Sequence, residues 1–448
     1  MGIKPTGVIF FPAFDWSISP THPERQERLL YTRDQFFEEG IMDLPQIREY
    51  SASAAQEQHI NRTHICVPHV TDQITNAHLI AAGSCIKIVD SLMAGEIKNG
   101  FVMVRPPGHH AMWVVHGNRG FCNINNEAIM VDYLRSRYSI KKVAIIDTDV
   151  HHGDGTQDIY HNDPNVLCIS FHQDPRTLYP GTGFIHELGG PTAFGSNINI
   201  PLPPGTTDQG VMTVLEQLIL PILEEFQPEI IINSAGQDNH FTDPLANLCM
   251  TAQGYARLNQ KLAPDIAVLE GGYAVETALP YVNMAITLAM AGLDYSHVKE
   301  PDLKTLTQDK GISNYIDNTV KQLWNMWKKR TQIDLNSYFG PDKFYTRQRT
   351  IYYDTDGIMD NQKETIFRCS ECPGYLKLSS QAVHPNGKQY HIFAVKIPFG
   401  SCPRCLETAQ KAFTEVVEKN YYTHCYMQNQ VENLFHIVTG KKEQRINL

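Results

Sequence analysis

Residues 1–300 predict an α/β fold around a mainly parallel sheet, and two observations carry that prediction. Short β-branched apolar runs alternate with longer segments of helical periodicity. The runs are also continuous rather than alternating, as strands covered by helices on both faces require. They occupy 101–105 (FVMVR), 143–150 (VAIIDTDV), 166–172 (VLCISFH), 229–234 (EIIINS) and 265–270 (DIAVLE). Helical stretches lie near 22–39, 77–94, 124–137, 208–226, 251–262 and 276–292. Open sheets of this kind bind ligands beyond the carboxyl ends of their strands. The unusual residues stand there: after Arg105, over Asp147–His152, after Ser234 and over Glu270–Tyr273.

Two further parts follow the 1–300 domain. Residues 301–330 are polar and helical in pattern, ending in a Trp-rich basic stretch, and 335–365 are rich in Tyr, Asp and Gly and read as loop. Together, 301–365 is expected to be a helical and loop connector. Residues 366–448 carry two C-x-x-C pairs, Cys369/Cys372 and Cys402/Cys405, around two strand-like runs at 374–383 and 389–397. Pro385-Asn386-Gly387 between the runs is a hairpin signal, and a helix is expected over 407–421. Two such knuckles around a hairpin predict a small zinc-ribbon-like module with a closed, structural zinc site of four cysteines.

The net charge of -10 is unevenly placed, at -15 over 1–300 and +5 over 301–448. An acidic main body suits cationic partners better than nucleic acid, and it also serves solubility alone. The six remaining cysteines lie in apolar stretches and predict buried thiols rather than disulfides. No run of about 18 apolar residues exists, which argues against a membrane span. The start of the chain lacks a basic segment followed by an apolar core. The expected location is therefore intracellular, cytoplasmic or nuclear, although Lys328-Lys329-Arg330 is too short for an import signal.

A metal site is written into Asp147-Thr148-Asp149-Val150-His151-His152-Gly153-Asp154-Gly155. On extended chain, residues two apart face the same way, so Asp149 and His151 can offer an oxygen and a nitrogen to one ion. The segment Ser234–Pro244 ends another strand and offers Asp243. Two carboxylates and one imidazole leave room for water or substrate, as a catalytic zinc site does. Tandem His109 and His110 follow a third strand and can act as general base and acid if paired with carboxylates. In Leu269-Glu270-Gly271-Gly272-Tyr273 the tyrosine hydroxyl can stabilise an oxyanion.

In this order and spacing, the motifs resemble the histone deacetylase and acetylpolyamine amidohydrolase superfamily, its class II branch more than class I. They are R-P-P-G-H-H-A (105–111), G-F-C (120–122), N-N (125–126), D-T-D-V-H-H-G-D-G-T-Q (147–157), S-F-H (170–172), P-G-T-G (180–183), S-A-G-x-D (234–238), D-P-L (243–245) and L-E-G-G-Y (269–273). His22-Pro23-Glu24 with Arg28 and Leu29 fits the family's opening motif. The resemblance covers about 10–295 and implies an arginase/deacetylase-like fold. It implies that Asp149, His151 and Asp243 hold zinc, that His110 activates water and protonates the amine, and that His109 is its electrostatic partner. Asp147 would orient His109, Asp154 would orient His110, and Tyr273 would donate to the oxyanion. Phe121 and Tyr179 would flank the acyl-lysine stem, with the Gly120 carbonyl on the amide. A potassium ion would sit on backbone oxygens of Asp147, Asp149, His151 and Phe171 and the Ser170 hydroxyl.

The implied reaction is hydrolysis of acetyl-lysine in protein or peptide tails, histones among them, with acetylated polyamines or other small amides as the alternative. Nucleic acid is not an expected partner; a homo-oligomer is compatible. Several departures bear on substrate. The stretch 111–119 (AMWVVHGNR) is longer and bulkier than the family pattern and is expected at the tunnel mouth; His116 within it reads more simply as packed than as functional. Gln237 replaces the usual aromatic residue before Asp238. Polyamine-specific relatives carry an acidic gatekeeper at the position of Met250, so a neutral residue there argues for peptides. A ureohydrolase on the same fold needs a carboxylate two residues after His151, where this chain has Gly153. A non-catalytic reader would be indifferent to loss of the Tyr273 hydroxyl.

Overall fold

The computed structural model describes residues 4–303 and 305–448. Eight parallel strands form the main sheet: β1 (Thr6–Phe11), β2 (Ile47–Glu49), β3 (Asn99–Val104), β4 (Val143–Asp147), β5 (Val166–Gln173), β6 (Asn197–Leu202), β7 (Ile230–Ala235) and β8 (Ile266–Leu269). Their spatial order is β2-β1-β3-β8-β7-β4-β5-β6. The five runs read as strands are all present, although the one at 143–150 ends at Asp147. Strands β1, β2 and β6 carry weaker signals; β6 contains Pro201, which an edge strand tolerates because one side needs no hydrogen bonds. Helices including Glu27–Glu38, Asn76–Met93, Asn126–Tyr138, Ala252–Leu262 and Leu279–Ala291 cover the faces. Buried Val, Ile, Leu and Phe fill both sides of the sheet. No helix among the described residues is long and apolar enough to cross a membrane.

The C-terminal region departs from expectation. The stretch expected as loop over 335–365 instead contributes two ten-residue strands, β9 (Phe344–Tyr353) and β10 (Ile358–Phe367). The expected hairpin is present as β11 (Tyr375–Val383) and β12 (Gln389–Ile397), and a helix follows at Pro403–Lys419. Strands β13 (His424–Asn429), β14 (Leu434–Thr439) and β15 (Lys442–Asn447) complete a seven-stranded sheet that runs in sequence order. The cysteine pairs and their hairpin therefore belong to a larger sheet. The connector reduces to residues before 344, chiefly the helix Lys310–Lys329, whose Ile316, Val320, Leu323 and Trp327 pack into the main core.

The stretch 111–119 explains how the two sheets join. It is wholly buried beneath the second sheet rather than open to solvent, and its last residues lead directly into Gly120 and Phe121. Met112 packs with Ile351, Tyr353, Ile358 and Ala382. Trp113 shares a core with Leu378, Ile392 and Tyr426, and its Nε1 donates to Gln428 Oε1 at 3.1 Å. His116 is packed, its Nε2 2.9 Å from Ser380 Oγ. Gln428 and Gln430 donate to the backbone oxygens of Asn61 and Arg62 at 2.8 and 3.0 Å, and the Tyr353 hydroxyl donates to Val114 O at 2.6 Å. Bulky apolar residues at 112–115 thus form a seat, with hydrogen bonds crossing the joint around it.

Trp113→Ala should destabilise the fold by about 3–5 kcal/mol, the usual range for removing a buried large aromatic side chain; a chemical denaturation curve within about 1 kcal/mol of wild type would contradict this packing. Acid should act at the same joint. His64 is fully buried, accepts from Asn125 N through Nε2 at 2.9 Å and places Nδ1 2.8 Å from Met112 O, an arrangement that suits the neutral ring. Burial holds its pKa down at about 4, so between about 6.5 and 4 the unfolded chain binds the extra proton. Stability contributed by neutral His64 is therefore full at neutral pH and lost as pH falls through that window. Thermal melts should show Tm falling from about pH 7 to about pH 4.5, and less steeply in a His64→Gln variant.

Candidate active site

The site forms where β3, β4, β7 and β8 end. Past Asp147 the chain turns, and backbone N–H groups are capped by carboxylates: Asp149 N on Asp147 Oδ1 at 3.1 Å, His151 N on Asp149 Oδ1 at 2.8 Å and Val150 N on Asp238 Oδ1 at 2.9 Å. Asp149, His151 and Asp238 bring ligand atoms within 4.8 Å of one another. His151 Nδ1 lies 3.1 Å from both Asp149 Oδ1 and Asp238 Oδ2. Asp238, to which the sequence reading gave no role, thus joins the compact trio. Asp243 lies beside it, with Oδ1 taking the Leu245 N–H at 2.9 Å and Oδ2 the Tyr273 N–H at 2.7 Å.

Charge crowding shows what this cluster needs. Burial, then the neighbouring Asp238, push Asp243 up to about 7. Burial alone would lower His151, yet Asp149 and Asp238 hold it up at about 10. Three carboxylates around one imidazole form a cation trap, and the oxygen and nitrogen donors match those of a catalytic zinc site. There is no room for a second metal's carboxylate at Gly153, where a Cβ would collide with Asp147 Oδ2.

Each tandem histidine has its own partner. His109 Nδ1 is 3.0 Å from Asp147 Oδ2 and His110 Nδ1 is 2.8 Å from Asp154 Oδ1, so each ring is oriented with Nε2 available. Burial acts to lower His109, but Asp149 and Asp147 outweigh it and hold the ring well above its ordinary value. Burial and the adjacent His109 hold His110 well below. The two rings, 4.0 Å apart, are thus driven to opposite protonation states. Arg119 Nη1 lies 2.7 Å from Asp154 Oδ2, a second restraint on that carboxylate that sequence reasoning missed.

Both histidines open onto a cavity of about 270 Å³, which Gly120, Phe121, Tyr179 and Tyr273 also line. The Tyr273 ring meets Phe121 edge-on at 5.8 Å, and its hydroxyl has no hydrogen-bond partner among the described residues. Met250 is a correction. It is fully buried in the main core, with its backbone bonded to Asn239 and Phe241, and so cannot gate the pocket. Leu245 lines the pocket instead, and a residue from the second sheet, Asp354, reaches it too. The pairing of Asp147 with Ser170 across β4 and β5 gathers the residues implied for potassium at one strand end; Ser170 Oγ lies 2.9 Å from His172 Nδ1.

At the far end of the second sheet, Cys369, Cys372, Cys402 and Cys405 are unbridged and converge. The Cys369–Cys402 and Cys372–Cys405 Sγ separations are 4.0 and 3.5 Å. Tetrahedral zinc at about 2.3 Å from each sulfur requires edges of about 3.8 Å, so the thiols are preset for one ion.

A buried carboxylate–imidazole cluster at parallel strand ends defines a metal-hydrolase type of site, and similarity to known proteins identifies its kind. The histone deacetylase domain family matches residues 44–290, more than half of the chain, and the chain belongs to that family of hydrolases. A probable deacetylase of Archaeoglobus fulgidus is 42% identical over 325 residues, covering 66% of this chain and 89% of its own length. A histone deacetylase-like amidohydrolase of Pseudomonas aeruginosa is 33% identical over 50% of this chain and 60% of its own. The crystal structure of the HDA15 HD domain superposes with a TM-score of 0.63 at 27% identity, covering 75% of this chain and 98% of that one.

Metal analysis should find that Cys369→Ser lowers bound zinc by one equivalent per chain while Trp113→Ala leaves the zinc content unchanged; an identical content in both variants would show that the thiols hold no ion.

Proposed function

We propose that this chain hydrolyses the acetyl amide of Nε-acetyl-lysine in protein or peptide tails in a zinc-dependent reaction. The observation that carries this reading is convergence: two histidines with separate carboxylate partners and a free tyrosine hydroxyl face one narrow, largely apolar pocket beside the metal-type cluster. Asp149, His151 and Asp243 would hold zinc, as the resemblance implies, with Asp243 accepting the N–H of Tyr273, which lines the pocket. Bound there, zinc supplies Lewis-acid polarisation of the amide carbonyl and makes water more acidic.

The remaining chemistry belongs to side chains. Phe121 and Tyr179 enclose the aliphatic stem and exclude water from it. His110, held neutral, takes the proton of the attacking water on Nε2, with Asp154 holding its other nitrogen. His109, held charged by Asp149 and Asp147, stabilises the negative charge that develops. The Tyr273 hydroxyl donates to the carbonyl oxygen as it becomes an oxyanion. His110 then returns its proton to the amine nitrogen, and lysine and acetate separate. A potassium ion on the Asp147, Asp149, His151, Ser170 and Phe171 oxygens would steady the loop that carries the ligands.

Acetylated polyamines are a second reading, favoured by one observation: Met250 lies in the core, so its neutrality says nothing against a small cationic substrate. Acetate release should be measured from an acetyl-lysine peptide and from N-acetylspermidine. Turnover of the peptide should vanish with a chelator and return with zinc, and Tyr273→Phe should lower kcat by about 10²–10³, the usual cost of one oxyanion donor. Turnover of acetylspermidine alone would assign the chain to the second reading; full peptide activity in Tyr273→Phe would refute the mechanism.

A further inference from the structure

Asp354 is the one carboxylate lining the pocket among the described residues, and it comes from the second sheet rather than the catalytic body. It opens the turn between β9 and β10, which reaches across to the pocket wall. Its Oδ1 accepts from Gly120 N and from the Tyr179 hydroxyl, both at 3.0 Å. Two residues on, Asp356 Oδ2 accepts from Asn118 N at 2.6 Å. The close approach needs Gly117, where a Cβ would meet Asp356 Oδ2 at 2.5 Å and Ile358 Cδ1 at 2.8 Å. This double clamp also holds the left-handed pair Gly120 (φ 52°) and Phe121 (φ 69°). An aromatic residue keeps that conformation only where its surroundings over-determine it. The turn is thus a built part of the pocket mouth.

What the clamp leaves over is charge. Asp354 forms no ion pair among the described residues, and its Oδ2 takes no hydrogen bond among them. The nearby Arg119 is engaged with Asp154 and lies over the Tyr179 ring, 5.4 Å from its centroid. Around Asp354 the pocket wall is Phe121, Leu178, Tyr179 and Leu245, a low-dielectric frame that focuses the field of a single anion. Asp354 is half-buried, so a substrate group can approach it from solvent.

We propose that Asp354 is a specificity residue that selects substrates carrying a positive charge beside the acylated amine, as in a peptide whose acetyl-lysine is flanked by arginine or lysine. This rests on the acetyl-amide hydrolysis proposed above. The second sheet would then contribute to the substrate-recognition surface through this turn. An ammonium or guanidinium is the shared chemistry, and a small polyamine offers it as well as a basic peptide does.

The test compares acetyl-lysine peptides flanked by arginine with the same peptides flanked by glutamine, and N-acetylspermidine with N-acetyl-hexylamine. Each pair is measured for kcat/KM and for Kd by calorimetry, with the zinc-loaded full chain and with Asp354→Asn. Asparagine keeps an acceptor for Gly120 and Tyr179 and removes only the charge. Wild type should favour the cationic peptide about fivefold at low salt, the upper end for a half-exposed ion pair, and the ratio should fall towards one in about 0.5 M salt and in Asp354→Asn. A charge preference confined to the acetylspermidine pair would overturn the peptide form of the proposal. A wild-type ratio near one in Kd, or a ratio kept by Asp354→Asn while both peptides weaken alike, would overturn it entirely and leave the residue a clamp on Gly120 and Tyr179. Absence of turnover on every amide would instead refute the hydrolase reading, with the Kd ratio still deciding the role of Asp354.

Discussion

Mutual repulsion among buried carboxylates is the constraint on which the catalytic body depends. Asp147, Asp149, Asp154, Asp238 and Asp243 are all buried around the end of β4. Charges so placed persist only where each is hydrogen-bonded or paired. Parallel strand ends answer part of that need by turning backbone N–H groups inward: Val150, His151, Leu245, Gly271 and Tyr273 each donate one to a carboxylate of this group. Three imidazoles and Arg119 answer another part, and a cation held there would complete the balance. The opposed protonation of His109 and His110 follows from the same field: burial lowers both rings, Asp149 and Asp147 outweigh it at His109, and the charge on His109, then Arg119, keeps His110 low.

The joint between the two sheets uses a different physics. Its centre is apolar, with Met112, Trp113 and Val114 under Leu378, Ile392 and Tyr353. Its flank is ionic: Arg349 pairs with Asp158 of the catalytic body and Arg347 with Glu364 across β9 and β10, while Lys396 donates to Ile159 O at 3.1 Å. Asp158 also accepts the Trp113 N–H at 3.0 Å, so the apolar and ionic parts of the joint share a residue. The Asp354 turn is the edge of this joint that arrives at the pocket.

Much of this was legible in the chain. The motif 147–155 announced its chemistry because a strand end forces residue types into fixed positions, and the cysteine pairs announced theirs because thiol spacing has few other uses. Strands β9 and β10 were not legible, and the reason is physical. Along β9 the partly sheltered positions are Tyr345, Arg347 and Arg349, and along β10 the buried ones include Asp360, Gln362 and Glu364. Hydrophobic alternation cannot reveal a strand whose inner face is held by ion pairs. The cover over 111–119 was not legible either, because an apolar stretch does not say which distant sheet covers it. Met250 was misplaced because matching a position along the sequence ignores the backbone bridge to His240 that sets the residue in the core.

The two sheets differ in how far apart their partners lie in the chain. The second is a run of sequence neighbours, whereas in the first β3 pairs with β8, and the seat at Trp113 waits for Gln428, 315 residues later. On the ribosome, the catalytic body therefore emerges long before the strands that cover its apolar seat. Until the last strands are released, Trp113 and its neighbours offer an open sticky surface of the kind that recruits chaperones or clumps with like chains. Premature stop codons late in the gene would accordingly cost solubility before they cost any residue of the reaction centre.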